Sequence, residues 1–405
     1  MADEPTVENV RKIIEHKLKN SDIAVNVKSS DGKSFEITLI KGTEEAKKTI
    51  NVTKKDKPNN SPEDKKDNVV NNKVELENTI KDKLKEFPSE IPLVIKDGST
   101  LQDSLNAVSK IMKENPDLNY GYAGCGAEQY GNKINLKMKY SLPQEKMIEE
   151  KNAVDQKVRE IFHNNIKAGM SAFEKEKVLH DYLVKNARYD IEHVNDNPPL
   201  PEDHNAYGVL VKGVGVCESY AKAFCVLLKH ANIECKYVTG KGQNPQGGSE
   251  RHGWNMVKLD DQWYNVDVTW DDPTYSKPED QIVDVSYRYF NVTDDILNQD
   301  HTRDAESKNL PTCTGKRYSV EGMNIVECDM KGNPFIPVKS EEELKNKVKE
   351  ALLAKKDTLN LKINWKNTKS LSDFMNMANK VAKNNGISNG IAIKGNDQVI
   401  IYTFK

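Results

Sequence analysis

The sequence predicts an α+β protein built from several small units, because different patterns alternate along its 405 residues. Segments with apolar residues every three or four positions indicate amphipathic helices, and segments of apolar–polar alternation indicate half-buried strands. A polar stretch rich in Lys, Asp and Asn separates the first of these segments from the rest. At roughly 100–200 residues per domain, the length accommodates two to four domains.

The composition excludes several classes of protein. Lys and Arg total 60 while Asp and Glu total 62, so the net charge of −2 gives no reason to expect nucleic acid or an anionic membrane as the main partner. No stretch approaches the ~18–20 apolar residues of a transmembrane helix, and the first residues lack the pattern of a signal peptide. Six cysteines are too few for a disulfide-stapled scaffold.

Metal and nucleotide chemistry also lack support in the sequence. It contains no CxxC pair, no HExxH and no Walker loop, which mark structural zinc sites, zinc proteases and P-loop nucleotide sites. A turn explains Asp271 and Asp272 more simply than a cation site does. We therefore expect no metal and no cofactor.

The patterns divide the chain into five segments. The first begins with helical spacing from Val7 to Leu18, followed by a predicted hairpin around residues 30–32. The second is almost empty of apolar side chains and cannot offset its own ordering entropy. The segments are a small α+β module at 1–53, a flexible charged linker at 54–72, accessory modules at 73–142 and 339–405, and a central domain at 143–335.

The two accessory modules share a predicted order of helix, strand, helix, strand, strand. In the second, Ser340 with Glu343 three residues later fits a capping box, and Gly395 with Asn396 fits a hairpin turn. A shared order indicates one type of module used twice. Binding of a polymer, a cell surface or a partner would explain these modules, and so would a role as spacers or covers for the central domain.

Cys217 lies where a helix is expected to begin. Gly213 and Gly215 interrupt the apolar run before it, and unpaired N–H groups and the helix dipole favour the thiolate of a cysteine in a first turn. An inert buried cysteine is the alternative, and we keep that interpretation for Cys225 and Cys235. The residues that follow Cys217 at helical spacing and predict the apolar face of this helix are Tyr220, Ala221, Phe224, Leu227 and Leu228.

Two downstream residues supply partners for a thiolate. His252 begins a predicted strand, and Asp267 lies on the next strand, after a turn at Asp260 and Asp261. Adjacent antiparallel strands can place the two side chains side by side. Because a nucleophile needs a base and the base needs an orienting carboxylate, this order predicts a Cys–His–Asp triad. His180, further upstream, is expected to be structural.

This region resembles the transglutaminase-like cysteine enzymes of papain-like fold, over about residues 150–310. Four motifs carry the resemblance: GVGVCESYAKAF, HGWNMV, WYNVDVTWDDP, and YFNVTDD followed by His301. The resemblance implies a papain-like core in which the helix bearing the cysteine packs on an antiparallel sheet. It also implies that Cys217 is the nucleophile, His252 the general base and acid, and Asp267 the orienting acid.

Other positions are predicted to surround the triad. Trp254 and Trp270 are expected to wall the cleft, although core packing explains them equally well. The backbone N–H of Cys217, with a second donor from Tyr207, is a candidate oxyanion hole. Members of the family often have glycine where this chain has Ser219, a departure that leaves the triad intact and could alter the pocket beside it. We assign no role to His301 itself.

The predicted chemistry is acyl transfer through a thioester. A transglutaminase-type acyltransferase is favoured; a hydrolase, either a cysteine protease or a cell-wall peptide amide hydrolase, could use the same triad. A non-catalytic, surface-binding scaffold is the third hypothesis. A tunnel walled by Trp254 and Trp270 would favour transfer to an amine, whereas an open, solvent-lined acceptor side would favour hydrolysis.

The expected partners are protein or peptide substrates, either Gln and Lys side chains or cell-wall peptides, and no nucleic acid. A charged linker between small modules and a composition rich in Lys, Asn and Ile are typical of secreted or surface proteins of low-GC bacteria. We therefore expect an extracellular or cell-surface location, with the accessory modules binding that surface. A cytoplasmic location stays open.

Overall fold

The computed structural model describes most of the chain, and contacts within the chain divide it into two compact units, 1–66 and 67–405. Helices and mostly antiparallel sheets occur together, which confirms the predicted α+β class. None of the described helices is long and apolar enough to cross a membrane. The described residues are 24–29, 34–41, 44–51, 68–196, 199–243, 248–272, 282–365, 367–388, 390–396 and 398–404.

The described part of the first unit is a three-stranded antiparallel sheet. Its strands are β1 (Ala24–Lys28), β2 (Ser34–Lys41) and β3 (Glu44–Asn51). β1 and β2 pair as the predicted hairpin requires, and β3, which the sequence did not predict, pairs with the other edge of β2. The predicted helix from Val7 to Leu18 and the turn at 30–32 lie outside the described residues.

The predicted linker, 54–72, ends earlier than the sequence indicated. Its residues up to 67 lie outside the described ranges, but Asn68–Val70 forms strand β4, in which Val70 is fully buried. β4 pairs in parallel with β5 (Glu90–Ile95). The prediction of a linker was therefore wrong for residues 68–70. Two valines are too short an apolar run to indicate a strand, and the strand they pair with comes only after an intervening helix.

The first accessory region is a four-stranded sheet with two helices. The strand order is β4-β5-β7-β6, and β5, β6 and β7 pair antiparallel. Burial of alternate residues along β7 shows that the helices cover one face of the sheet. The elements after β4 are α1 (Lys73–Leu84), β5, α2 (Leu101–Glu114), β6 (Tyr122–Tyr130) and β7 (Lys133–Tyr140).

The central region combines three longer helices with an antiparallel sheet of order β12-β11-β10-β13. The helix that begins at Cys217 packs against β10 and β11, and its predicted apolar face is at most 2% exposed. The elements are α3 (Gln144–Asn165), α4 (Ala172–Asn186), β8 (Arg188–Tyr189), β9 (Val214–Gly215), α5 (Cys217–His230), β10 (Cys235–Gln243), β11 (Ser249–Leu259), β12 (Gln262–Val266), α6 (Asp294–Leu297) and β13 (His301–Arg303).

The C-terminal region repeats the plan of the first accessory region. Its strand order is β14-β15-β17-β16, with a parallel first pair and antiparallel pairs after it. Each region therefore begins with a three-residue strand that the sequence did not predict. Ser340 caps the first helix by accepting the N–H of Glu343, whose carboxylate accepts the N–H of Lys339 instead of completing a capping box. The elements are β14 (Ile336–Val338), α7 (Glu341–Leu353), β15 (Thr358–Ile363), α8 (Leu371–Asn384), β16 (Ile391–Gly395) and β17 (Val399–Phe404).

Candidate active site

Cys217 is the first residue of α5, as the sequence predicts. The preceding Val216 is extended and has no oxygen in its side chain, so no side chain caps this end of the helix. The N–H of Ser219 donates to the carbonyl of Val216, which leaves the N–H groups of Cys217 and Glu218 for an anion beside the partly exposed Cys217. Together with the helix dipole they would stabilise the oxyanion of a tetrahedral intermediate.

His252 lies in β11, between the sulfur and a carboxylate. Its Nε2 is 2.6 Å from Oδ2 of Asp267, and the side chain of Cys217 is close enough to act on the same ring. Burial by itself would lower the pKa of His252, but Asp267 and Cys217 outweigh burial and raise it to about 10. At neutral pH the ring is therefore an imidazolium held between an aspartate and a sulfur.

Asp267 is fully buried and every oxygen of its carboxylate is engaged. Oδ1 accepts the N–H groups of Thr269 and Trp270 at 3.0 and 3.1 Å, while Oδ2 faces His252 and His301. Burial raises the pKa of this carboxyl, but the two imidazoles outweigh burial and hold the pKa well below its usual value. The aspartate thus stays charged and fixed in orientation.

The position of Asp267 differs slightly from the sequence prediction. The sequence placed it within a strand, whereas β12 ends at Val266 and Asp267 is the next residue. The reason is local, because a carboxylate that binds the N–H groups two and three residues ahead turns the chain out of the strand. The turn brings the carboxylate to His252 from beyond the end of the hairpin.

His301 is a site residue whose role the sequence analysis missed. Its Nε2 is 3.0 Å from Oδ2 of Asp267, and its Nδ1 is 2.6 Å from Oδ1 of Asp300. The hydroxyl of Tyr289 donates to the other oxygen of Asp300 at 2.6 Å. His301 reaches Asp267 because β13 pairs with β10, a long-range pairing that no local pattern encodes. The motif in which it stands was the only signal available.

The two candidate cleft tryptophans occupy different positions. Trp270 is half-buried, and its ring centroid lies 4.9 Å from that of His252. Gly242 makes room for it, since a β carbon at that position would lie 2.7 Å from the Trp270 ring. Trp254 is only 1% exposed and packs in the core beneath His252. Trp270 can therefore wall the site, whereas the expectation that Trp254 does so was wrong, because the core covers this inward-pointing ring.

The proposed oxyanion donor Tyr207 has its backbone N–H already engaged. That N–H donates to Oδ1 of Asn205 at 2.8 Å, and the ammonium of Lys146 lies 5.8 Å from the centre of the Tyr207 ring. The main-chain donor is thus used within the loop. A contribution from the Tyr207 hydroxyl stays a prediction.

Tyr237 in β10 is a further candidate donor that the sequence analysis did not identify. Burial raises the pKa of its hydroxyl well above the usual value, and the nearby Glu218 and Cys217 side chains raise it further. The phenol therefore remains a hydrogen-bond donor in the field of the sulfur. Gly253, beside the base, gives it space, because a β carbon there would lie 2.9 Å from the Tyr237 ring.

Ser219, the departure from the family pattern, has a structural function. Its buried hydroxyl donates to the carbonyl of Asn205 at 2.6 Å and accepts the N–H of Val209 at 3.0 Å. Glycine at this position would make neither bond. The serine thus anchors the loop that contains Tyr207 to the helix that begins at Cys217.

Asp271 organises a second histidine only four residues after Asp267. Its Oδ2 is 3.2 Å from Nε2 of His180, whose Nδ1 is 3.2 Å from Oδ1 of Asp181, and its Oδ1 accepts the N–H of Tyr289. Burial raises the pKa of Asp271 to about 6. Burial opposes the charge on His180, but the two carboxylates raise its pKa to about 9. The pair is buried and charged at neutral pH, in agreement with the structural role expected for His180.

Two clusters among the described residues bring three metal-ligand atoms within 4.8 Å of one another. The first, His252, Asp267 and His301, is accounted for by its own hydrogen bonds. The second combines Asp190, His193 and Asp203 in the loop after α4, where His193 contacts Asp190 at 3.0 Å and Oδ2 of Asp203 has no hydrogen-bond partner. Only the second offers an oxygen that a cation could take without breaking a described contact.

One family model matches the part of the chain that contains this site. A family model described as the transglutaminase-like superfamily matches residues 160–268, which include Cys217, His252 and Asp267. A search of curated proteins gave no match.

Three solved structures are similar to parts of the chain, each at 12% identity. One is a TGase, covering 58% of this chain and 66% of its own, with a TM-score of 0.26. Another is a candidate cysteine protease from Cytophaga hutchinsonii, covering 37% and 62%, with a TM-score of 0.24. An arylamine N-acetyltransferase from Bacillus cereus covers 28% and 48%, with a TM-score of 0.22. The match spans less than two thirds of each solved chain, and likenesses at these scores carry no functional argument.

Proposed function

We propose that this chain, whose residues 160–268 belong to the transglutaminase-like superfamily, catalyses cysteine-dependent acyl transfer. Cys217 is the proposed nucleophile, His252 the general base and acid, and Asp267 the orienting carboxylate. The observation that carries the proposal is the 2.6 Å contact between His252 and the buried Asp267, with Cys217 at the start of α5 acting on the same imidazole. Thiol, base and orienting acid in that order are the parts that nucleophilic acyl transfer needs.

In the first step, the Cys217 thiolate attacks the carbonyl carbon of a substrate carboxamide. The first-turn N–H groups of α5, with Tyr237 as a further donor, stabilise the negative charge that develops on the carbonyl oxygen. As the C–N bond breaks, the His252 imidazolium gives its proton to the leaving nitrogen, so ammonia or an amine departs. A thioester on Cys217 and a neutral imidazole remain.

In the second step, an acceptor attacks the thioester carbonyl. The neutral His252 removes a proton from the acceptor, the C–S bond breaks, and the thiolate–imidazolium pair is restored. A lysine amine as acceptor gives an isopeptide cross-link, and water gives deamidation or peptide cleavage. Asp267 holds the ring throughout, because its second oxygen is fixed by the N–H groups of Thr269 and Trp270.

Amine transfer is the leading proposal, and hydrolysis is the second candidate because of how the acceptor side of the site is walled. Exclusion of water favours an amine over water as acceptor. Trp270 can contribute one wall, but Trp254 is buried in the core and cannot supply the second wall of a tunnel. The acceptor side therefore has one tryptophan wall and not two. Because water is then less well excluded, this arrangement favours the hydrolase alternative.

We also propose that the accessory modules bind the substrate polymer or a cell surface, outside the cell. Two four-stranded sheets of the same strand order flank the central region, and in one of them alternate burial leaves a sheet face open. Repetition of a module on both sides of a catalytic core is suited to a polymeric or surface-bound substrate. Binding of the chain to bacterial cell walls, measured by co-sedimentation, tests this assignment.

The function is tested by incubating the full chain with a glutamine-rich protein and a labelled primary amine, followed by mass spectrometry. Amine adducts are expected with the natural chain and with Cys328→Ala, a matched control in a partly exposed cysteine, but not with Cys217→Ala. Loss of ammonia or chain cleavage without adducts would identify a hydrolase. Adducts that persist in Cys217→Ala would remove this cysteine from the mechanism.

A second test needs no substrate. At pH 6, where an ordinary thiol of pKa about 8.5 is almost fully protonated, we expect iodoacetamide to label Cys217 at least roughly tenfold faster than Cys125 or Cys313. Burial raises the pKa of both comparison thiols, to about 12 for Cys313. The advantage should disappear in His252→Gln. Equal labelling of the three cysteines in the natural chain would contradict an activated Cys217.

A further inference from the structure

Cys225 and Cys235 bring their sulfur atoms within 2.9 Å of each other. Cys225 lies in α5, two turns after the proposed nucleophile, and Cys235 is the first residue of β10. A ten-residue separation and the helix-to-strand turn between them bring the two side chains face to face. All six cysteines belong to the described ranges, and no other pair among them makes such a contact.

This separation is less than 1 Å longer than the about 2.05 Å of a disulfide bond. The two sulfurs are therefore within reach of a disulfide bond. The side-chain amide of Asn255 supports this arrangement, since its Nδ2 donates to the carbonyl of Ala221 and also approaches the two sulfurs, at 3.2 and 3.5 Å. The amide thus holds both sulfurs on one side of the sheet.

We propose that Cys225 and Cys235 are a site of disulfide formation that links the helix of Cys217 to the strand β10. The oxidant is a low-molecular-weight disulfide. One protein thiolate attacks it to give a mixed disulfide and one small thiol, and the second protein thiolate then displaces the other small thiol. Two protein thiols are oxidised, one small disulfide is reduced to two thiols, and one protein disulfide forms.

Cys217 is left out of this bond. It is the first residue of α5, two turns before Cys225, and lies near His252, whereas Cys225 faces Cys235. Cys225 and Cys235 are the cysteines nearest to Cys217 in the sequence. Because they would be bonded to each other, the proposed nucleophile keeps a free thiol in an oxidising compartment. The disulfide would also fix the helix to the sheet that carries His252.

The reduced pair is expected to react slowly in the folded protein. Cys225 is only 4% exposed, and burial together with the Cys225 sulfur raises the pKa of the Cys235 thiol well above its usual value. Failure to label these thiols in the native state is therefore no sign of a disulfide. Only labelling after unfolding separates the bonded pair from two slowly reacting thiols.

The experiment refolds the reduced full chain with a mixture of reduced and oxidised glutathione, quenches with acid, unfolds it and alkylates every remaining thiol. We expect two fewer alkylations than the six of the fully reduced chain, and a proteolytic peptide pair that joins Cys225 to Cys235 while Cys217 is alkylated. The melting temperature should be higher before than after reduction. Alkylation of all six cysteines, or a linked peptide that contains Cys217, would overturn the proposal.

Variants sharpen the result without an activity assay. Cys235→Ala should abolish both the linked peptide and the dependence of the melting temperature on reductant, and Cys328→Ala, the matched control, should change neither. If Cys235→Ala does not fold, the peptide map of the natural chain decides alone. Because no readout uses turnover, failure here and failure of the proposed acyl transfer are distinguishable.

Discussion

Two carboxylate–imidazole systems flank one short turn, and their second partners differ. His180 lies between Asp271 and Asp181, so both of its ring nitrogens face carboxylates. His252 has Asp267 on one side and the sulfur of Cys217 on the other. An imidazole between two carboxylates stays protonated at neutral pH, whereas one between a carboxylate and a thiol can pass a proton to a reacting group.

His301 belongs with the structural type although it touches the proposed active carboxylate. It lies between Asp267 and Asp300, with contacts of 3.0 and 2.6 Å, and its side chain is fully buried. Of the three fully or nearly buried histidines within the described ranges, only His252 does not have carboxylates at both ring nitrogens. Burial and a carboxylate partner are therefore not enough to identify a catalytic histidine, and the second partner decides.

The largest expected effect is a difference in activity between two matched substitutions, Asp267→Asn and Asp271→Asn. Asp267→Asn should keep the fold and lower the rate of amine incorporation by about 10³–10⁴, because the imidazole loses its orienting charge. Asp271→Asn should leave the rate within about tenfold of the natural chain, because Asp271 contacts no reacting group. Initial rates, with circular dichroism to verify folding, test the contrast, and equal losses in the two variants would erase it.

Removal of His180, the structural histidine, should affect stability much more than activity, the opposite of the effect expected for Asp267→Asn. His180→Gln leaves the Asp271 carboxylate buried without its cation and should cost about 2–3 kcal/mol in the free energy of unfolding, with activity retained. His193→Gln is the matched control, because that side chain is 44% exposed and its pair with Asp190 should contribute little. Urea unfolding of both variants measures the difference. A stability loss no larger in His180→Gln than in the control contradicts a structural ion pair.

His301→Gln is expected to have a smaller effect on catalysis than any change to His252. Asp267 keeps its bonds to Thr269 and Trp270, so only one of its supports is lost, and the rate should fall about tenfold. A structural role alone would leave the pH profile unchanged, whereas positioning of Asp267 should move its alkaline limb. Rates between pH 6 and 10 in the variant and the natural chain decide between these roles.

The smallest effect is a slope in stability with pH. The pKa of His180 rises from 6.5 in the unfolded chain to about 9 in the folded protein, so its stabilisation is complete below about pH 6.5 and is lost as the pH rises through 9. The free energy of unfolding should decline across this window by at most about 1.4 kcal/mol per pH unit for this group. His180→Gln should flatten that decline. An unchanged slope in the variant would mean that the folded-state pKa of His180 is not raised.

Local signals predicted the parts of the site that depend on neighbouring residues. The glycines before Cys217 and the apolar spacing after it predicted the helix start, and Asp260 and Asp261 adopt the positive φ angles of the predicted hairpin turn. Each of these features is decided within a few residues, where backbone preference and apolar periodicity act directly. The family motifs then linked the three proposed catalytic residues.

The parts that the sequence did not predict depend on pairings between distant residues. The strands β4 and β14 are too short to carry a pattern and exist because they add to β5 and β15. The burial of Trp254 depends on which elements cover its face of the sheet. Neither property can be obtained from the residues adjacent in sequence.

The sequence by itself determined the chemical groups of this protein and their order: a thiol at a helix start, then a histidine, then an aspartate. Only the tertiary structure decided which two histidines, His180 and His301, lie between two carboxylates and which one lies near the sulfur. The reason is physical. A hydrogen bond such as that from His301 to Asp267 forms between strands far apart in the chain, and its geometry is set by how the sheet and the helices pack. That packing also placed Cys225 against Cys235, two residues for which the sequence predicted nothing beyond burial.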